Sequence, residues 1–243
     1  MSLYGDQLNL HPDSGFAEMT GTQVRLVDRS EPGESRTLLT QKTTYDFREG
    51  VARYAGGGEV TTEGEHITSD RGSYHRDSGR MDFLGQVHMV VDTLNVRSER
   101  VGYLPKARKL ILTDPAEVRH PSGGVDCVRG EWDLEAGGGW FVGDSSAVAR
   151  FVDGDLVVTG DSLALSDALG VARGRVLLTD TAGSYRLGGD AVDFERESDG
   201  GSGQVSLKGN AFAWLNEGDA PLLVQGPSIT IATDSAQQRM LFA

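Results

Sequence analysis

Apolar and polar residues alternate along this chain with a period of two, as in Tyr45-Asp46-Phe47 and Val87-His88-Met89. That spacing turns one face of a β-strand inward and the other to water. No segment of comparable length carries the i, i+3, i+4 spacing of an amphipathic helix. The alternating segments also repeat. Pro12-Asp13-Ser14-Gly15-Phe16-Ala17-Glu18-Met19-Thr20-Gly21 aligns with Arg76-Asp77-Ser78-Gly79-Arg80-Met81-Asp82-Phe83-Leu84-Gly85, and Arg48-Glu49-Gly50-Val51-Ala52-Arg53-Tyr54-Ala55-Gly56 has the same form with a shorter turn. The element is a polar turn followed by apolar–x–apolar–x–Gly, read as a strand that ends at its glycine. It recurs in Leu110-Ile111-Leu112-Thr113-Asp114 and Val205-Ser206-Leu207-Lys208-Gly209, with weaker copies closing at Gly143 and Gly174 and a partial copy at Thr233-Asp234-Ser235. The closing positions 21, 56, 85, 114, 143, 174 and 209 are 29 to 35 residues apart. A second series, a small residue followed by an acid, runs through Ser69-Asp70, Ser98-Glu99, Gly130-Glu131, Gly160-Asp161 and Gly189-Asp190.

A unit of about 30 residues cannot bury its own apolar face, so successive units must stack. The expected fold is all-β: an elongated, repeat-built β-jellyroll or β-taco, an open twisted roll of antiparallel strands. It is expected to form a single domain over residues 1–243 with a loop excursion near 195–204. Glycine supplies the positive φ that the Asp-Ser-Gly and Arg-Glu-Gly turns demand. The clusters Gly56-Gly57-Gly58 and Gly137-Gly138-Gly139 are placed in β-turns, and Asp28 to Gly33 and Glu197 to Gly203 in loops.

Composition narrows the partners. The net charge is −13, with 36 Asp and Glu against 23 Lys and Arg. That argues against nucleic acid, which needs clustered cations, and against adsorption to an anionic membrane surface. One cysteine, Cys127, excludes an internal disulfide and any cysteine-based metal cluster, and its alternating context Val125-Asp126-Cys127-Val128 makes it a small buried hydrophobe. No stretch approaches the roughly 18 apolar residues that span a bilayer. The start, Met1-Ser2-Leu3, is no export signal and reads as a vector remnant in place of one.

The polar residues offer little chemistry. His11, His66, His75, His88 and His120 pair at no metal-binding spacing, and neither a GxSxG elbow nor a phosphate-cradling glycine loop is present. The acids, such as Asp153 and Asp155 or Asp190 and Asp193, fall at turns and outward positions. No catalytic residue and no cofactor are implied. The apolar alternation is more informative. Ala52, Tyr54, Tyr74, Met81, Phe83, Val87, Met89, Val96, Leu110 and Leu112 should share one interior face. They either pack sheet on sheet or line a groove for a hydrocarbon chain.

Ile67-Thr68-Ser69-Asp70-Arg71-Gly72-Ser73-Tyr74, the turn Asp77-Ser78-Gly79, and Met81-Asp82-Phe83-Leu84-Gly85-Gln86-Val87 together resemble the OstA-like family. Its signature is x-A-D-x-ϕ-x-ϕ, a polar turn, then ϕ-x-ϕ-x-G-x-V, with ϕ apolar. Here Ser69, Ser98, Gly130, Gly160 and Gly189 replace the alanine while the acid stays. The resemblance covers most of the chain and is strongest over residues 43–120. It implies a periplasmic, non-enzymatic β-taco that holds the acyl chains of lipid A in a hydrophobic groove. It further implies lipopolysaccharide and other OstA-like transport components as partners, and end-to-end homo-oligomers through edge strands. The alternatives are a structural scaffold with a closed core that docks partners, and a polysaccharide-active β-helix enzyme.

Overall fold

The computed structural model describes residues 1–29, 35–121, 123–195, 203–216, 221–233 and 239–242. Most of the segments read as loops at 28–33 and 197–203, and most of the last partial repeat at 233–235, lie outside those residues. The described residues form two compact units, Met1–Pro121 and Ser122–Ala243. Both are built of antiparallel strands, and the sole helical element described is a single 3₁₀ turn at Pro105–Ala107.

In unit 1 the strands are β1 (Ser2–Tyr4), β2 (Gln7–His11), β3 (Phe16–Asp28), β4 (Arg36–Asp46), β5 (Val51–Thr62), β6 (Glu65–His75), β7 (Met81–Val91), β8 (Leu94–Leu104), β9 (Lys109–Leu112) and β10 (Ala116–His120). β3 to β8 form a meander in which each strand pairs with the next. β1 and β2 both pair with β3, and β9 and β10 both pair with β8, so each outer pair is one long strand broken in two.

Every long strand is interrupted at its middle. The register slips between Thr20 and Val24, Thr40 and Thr43, Ala55 and Gly58, Thr68 and Arg71, and Leu84 and Val87. An unpaired residue inserted mid-strand bends it and raises the local twist. Because the slips are aligned across neighbours, the whole sheet folds along one crease, as a taco-type jellyroll does. The half-strands on one side make a first wall and those on the other a second.

The repeated Gly and Asp positions fall on this crease. Gly21, Gly56, Gly85, Gly174 and Gly209 sit at register slips, while Asp114 and Gly143 occupy the breaks between β9 and β10 and between two later strands, Gly138–Val142 and Ala149–Asp153. The five glycines at slips are therefore not strand ends, as the sequence suggests, but the points where a strand turns from one wall into the other, whereas Asp114 and Gly143 do follow strand ends, at Leu112 and Val142. Gly56-Gly57-Gly58 likewise lie inside β5 rather than in a β-turn, and Gly138-Gly139 open a strand. The reason is conformational. Gly56, Gly57, Gly85, Gly174 and Gly209 have φ between +66° and +96°, where a Cβ is strongly disfavoured.

The small-acid series locks the same crease from the neighbouring strand. Asp70 lies against Gly85, Asp161 against Gly174 and Asp190 against Gly209, each carboxylate occupying the space a Cβ would need. Asp6, which lies against Gly21 in the same way, and two of these acids take hydrogen bonds from residues beside the glycine. Thr22 N donates to Asp6 (2.8 Å), Arg175 Nε to Asp161 (2.5 Å) and Asn210 Nδ2 to Asp190 (2.9 Å). The copy at 128–131 is out of phase: Gly130 and Glu131 lie within the strand Arg129–Asp133, two residues beyond the break at Val128. Gly174→Ala should cost unit 2 about 1–3 kcal/mol, from a disfavoured φ and a displaced Asp161. Gly183→Ala, with similar φ (+70°) and open space around it, should cost less. Urea midpoints of the two variants check this.

Unit 2 is creased in the same way. Its strands are β11 (Gly123–Cys127), β12 (Arg129–Asp133), β13 (Gly138–Val142), β14 (Ala149–Asp153), β15 (Leu156–Gly160), β16 (Ser162–Leu165), β17 (Leu169–Asp180), β18 (Tyr185–Glu195), β19 (Gly203–Leu215), β20 (Leu222–Thr233) and β21 (Arg239–Phe242). One inward row runs Val125, Phe151, Val158, Leu178, Leu187, Ala213, Val224. Another runs Gly130, Phe141, Leu163, Ala172, Val192, Leu207, Ile229. Large rings are matched to glycines: Phe141 covers Gly130, Phe194 covers Gly170 and Phe212 covers Gly188, with no room for a Cβ at any of them. Cys127 is a free, buried thiol.

Candidate functional site

The most continuous apolar feature of unit 1 is the space between its two walls. On the first wall, successive cross-strand partners Leu26, Leu38, Val60, Ile67, Met89, Val96 and Val118 form an unbroken row over seven strands. On the second wall, one row runs Leu8, Met19, Thr43, Tyr54, Gly72, Phe83, Val101, Leu112, and a parallel one runs Leu10, Ala17, Tyr45, Ala52, Tyr74, Met81, Tyr103, Leu110. Such rows are the unit of sheet stabilisation, and here they also define a lining.

The ten residues expected to share an interior face are divided between the two walls. Val87, Met89 and Val96 belong to the first wall, and Ala52, Tyr54, Tyr74, Met81, Phe83, Leu110 and Leu112 to the second. All are buried except Tyr74, which is half-buried near the wall's tip. Phe47, by contrast, leaves the alternation of its neighbour Tyr45: it lies in a turn and is 60% exposed.

The walls touch. Phe83 and Leu112 are each 1% exposed and Met89 and Val96 not at all. A cavity of about 30 Å³ remains between them, lined by Leu26, Leu38 and Val60 of one wall and Ala52, Tyr54 and Phe83 of the other. That is room for about one water molecule, not for a hydrocarbon chain. The rows do reach solvent at the outer pair of strands, where Leu8 is 49% and Leu10 60% exposed.

Opposite the crease, the tips of the two walls are tied together by polar contacts. Tyr74 Oη donates to the buried Asp28 carboxylate, Tyr103 Oη donates to Glu65, and Arg108 pairs with Asp92. Deeper in, Tyr54 and Ser69 share a hydrogen bond of 2.6 Å across the crease. Burial pushes the Tyr54 hydroxyl up to about 12, against a smaller opposing effect of Ser69. Tyr103 is also raised, first by burial and then by the Glu65 carboxylate that accepts its hydrogen bond. Sequence reasoning did not single out Asp28, Glu65 or Tyr103, because the partners lie 46 and 38 residues apart and are joined only by the fold. Asp28 and Glu65 are exceptions to the placing of the acids mainly at turns and outward positions, since both accept hydrogen bonds across the mouth.

The remaining candidates are peripheral. His66 contacts Glu59 (2.9 Å), His75 lies 3.8 Å from Asp82, His88 contacts Asn95 (3.2 Å) and His11 stacks on Phe16. Among the described residues no group of His, Cys, Asp and Glu converges as metal ligands would, and no helix is long and apolar enough to cross a membrane.

No curated protein matches the chain. A family model does, over the unit whose creased walls have just been described: residues 1–118 match the OstA-like protein family.

Proposed function

We propose that this is a non-enzymatic periplasmic lipid-binding protein that takes acyl chains of lipopolysaccharide between the walls of unit 1 and hands them along a transport bridge. The observation carrying this reading is the largely apolar inward rows that cross the unit, two of which surface at Leu8 and Leu10. Burying an acyl chain of a dozen carbons is worth on the order of 10 kcal/mol. That gain would offset the parting of the walls once the ties at the mouth are broken on entry. Equilibrium binding of lipid A by the purified protein tests the proposal. Saturable binding at micromolar concentration is expected, and its absence overturns the reading.

The ties make a sharper prediction. Tyr74→Phe combined with Tyr103→Phe deletes two wall-to-wall hydrogen bonds, each worth about 1.5–3 kcal/mol when made to a charged group. Lipid A should then enter several-fold faster, as measured by stopped-flow fluorescence of a labelled lipid.

A second reading is favoured by the close packing of the walls: a scaffold with a permanently closed core. An apolar dye separates the two. A carrier whose walls part should bind it, and bind more of it in the double Tyr→Phe variant, whereas a closed core should leave it in solution in both proteins.

A further inference from the structure

The outer face of the second wall carries a cleft of about 400 Å³, far larger than the interior void and within the range of small-molecule sites. Lys42, Arg53 and Arg71 line it, together with Thr44, Ser73 and Leu84. The register explains how it forms. Lys42 pairs with Thr20 one residue short of Thr43↔Tyr54, and Ala55 pairs with Arg71, which pairs in turn with Leu84. Arg53 pairs with Thr44 and Ser73 in the next outward row. Small side chains, Ala55 and Ser73, thus lie between long cationic ones and leave the floor open.

Three cations at diagonal positions on one sheet face repel each other. In a chain of net charge −13, acids to neutralise them are abundant, yet compensation is incomplete. Lys42 pairs with Glu18 and Arg53 with Glu49, both at 2.6 Å, while Arg71 has no ion pair among the described residues. Both existing pairs are solvent-exposed, with Lys42 52% and Arg53 48% exposed. Pairs of that kind are worth about 0–1 kcal/mol, so an incoming dianion can recruit both cations cheaply. Arg71 offers a planar fork matched to phosphate oxygens, and the hydroxyls of Thr44 and Ser73 complete a donor set.

We propose that this cleft is a phosphate-binding site, taking inorganic phosphate or the phosphomonoester of a lipid headgroup, with Leu84 against the less polar side of the ligand. It lies on the face opposite the lipid-binding interior and stands independently of that reading.

The test is calorimetric titration of the full chain with inorganic phosphate at low salt, and a flotation assay with phosphatidylcholine vesicles with and without phosphatidic acid. Saturable phosphate binding is expected, weakened at least tenfold by Arg71→Gln and by Lys42→Gln and unchanged by Lys208→Gln, whose cation pairs with Asp193 elsewhere. Co-flotation with phosphatidic acid alone, lost in Arg71→Gln, assigns the phosphate to a headgroup. Binding of free phosphate without flotation assigns it to a soluble ligand. No saturable binding of either, or equal loss in Lys208→Gln, overturns the site. Lipid A binding by Arg71→Gln at wild-type strength would leave the interior reading standing whichever way this one falls.

Discussion

Phe83→Ala should lower the stability of unit 1 by about 3–5 kcal/mol, the range for truncating a fully buried aromatic ring. Phe83 is 1% exposed, sits beside Gly72 and Val101 in the second-wall row, and already borders the cavity between the walls. Its loss leaves a larger void in a region that cannot close by a local shift, because both neighbours are held by ladder hydrogen bonds on either side. Urea unfolding, followed by hydrogen exchange resolved to β6, β7 and β8, measures the effect. A loss below about 1 kcal/mol would show instead that the walls re-pack around the void. A charge at Phe83 or Leu112 is a poorer probe of lipid binding than the alternation alone implies. At 1% exposure each, a buried unpaired charge costs the fold itself.

The periodicity of the sequence was enough to read the strands, their alternation and the recurrence of the unit, because each is encoded within a few residues. Gly85 and Asp70 illustrate where such reading stops. The motif residues are plain in the sequence, but a glycine closing an apolar–x–apolar run looks the same at a strand end and at a mid-strand bend. What distinguishes them is that Asp70, one strand away, fills the space over Gly85. The signature is therefore architectural: the acid and the glycine of adjacent strands meet to set the crease. The slip at Gly130 has the same origin. Glu131 follows a small residue just as Asp161 does, but the break falls at Val128, and no local pattern says which side of Arg129 bends. The interior face of unit 1 was legible because one face of every strand is apolar. The ties at its mouth were not, since Tyr74 to Asp28 and Tyr103 to Glu65 are products of folding the sheet in half. The basic cleft was hidden for a related reason: Lys42, Arg53 and Arg71 are scattered in sequence and assembled only by the register of three strands.

Raising the pH should unfold the protein at a point set by its buried hydroxyls and thiol. Tyr54 ionises near 10 in the unfolded chain and only at about 12 in the folded one, because burial disfavours the phenolate. The folded state therefore holds a proton that the unfolded state releases, and stability is intact below pH 10 and falls as the pH rises from 10 toward 12. Two pH units at about 1.4 kcal/mol each give a loss on the order of 2–3 kcal/mol from Tyr54 alone. Tyr103, raised by burial and by Glu65, pulls in the same direction. In unit 2 the buried Cys127 thiol is held up to about 12 from an ordinary value of 9.0, so that unit should begin to weaken about one pH unit earlier. Thermal melts from pH 8 to 12 check the slope. Tyr54→Phe should flatten the decline of unit 1 above pH 10, and Cys127→Ala that of unit 2 above pH 9. Tyr54→Phe also frees Ser69 of its partner across the crease, so its melting point at pH 8 should drop even as its alkaline slope relaxes. Those opposite signs separate the titration of the hydroxyl from the packing of the ring, which fills the space above Gly58 and Gly72 in both proteins.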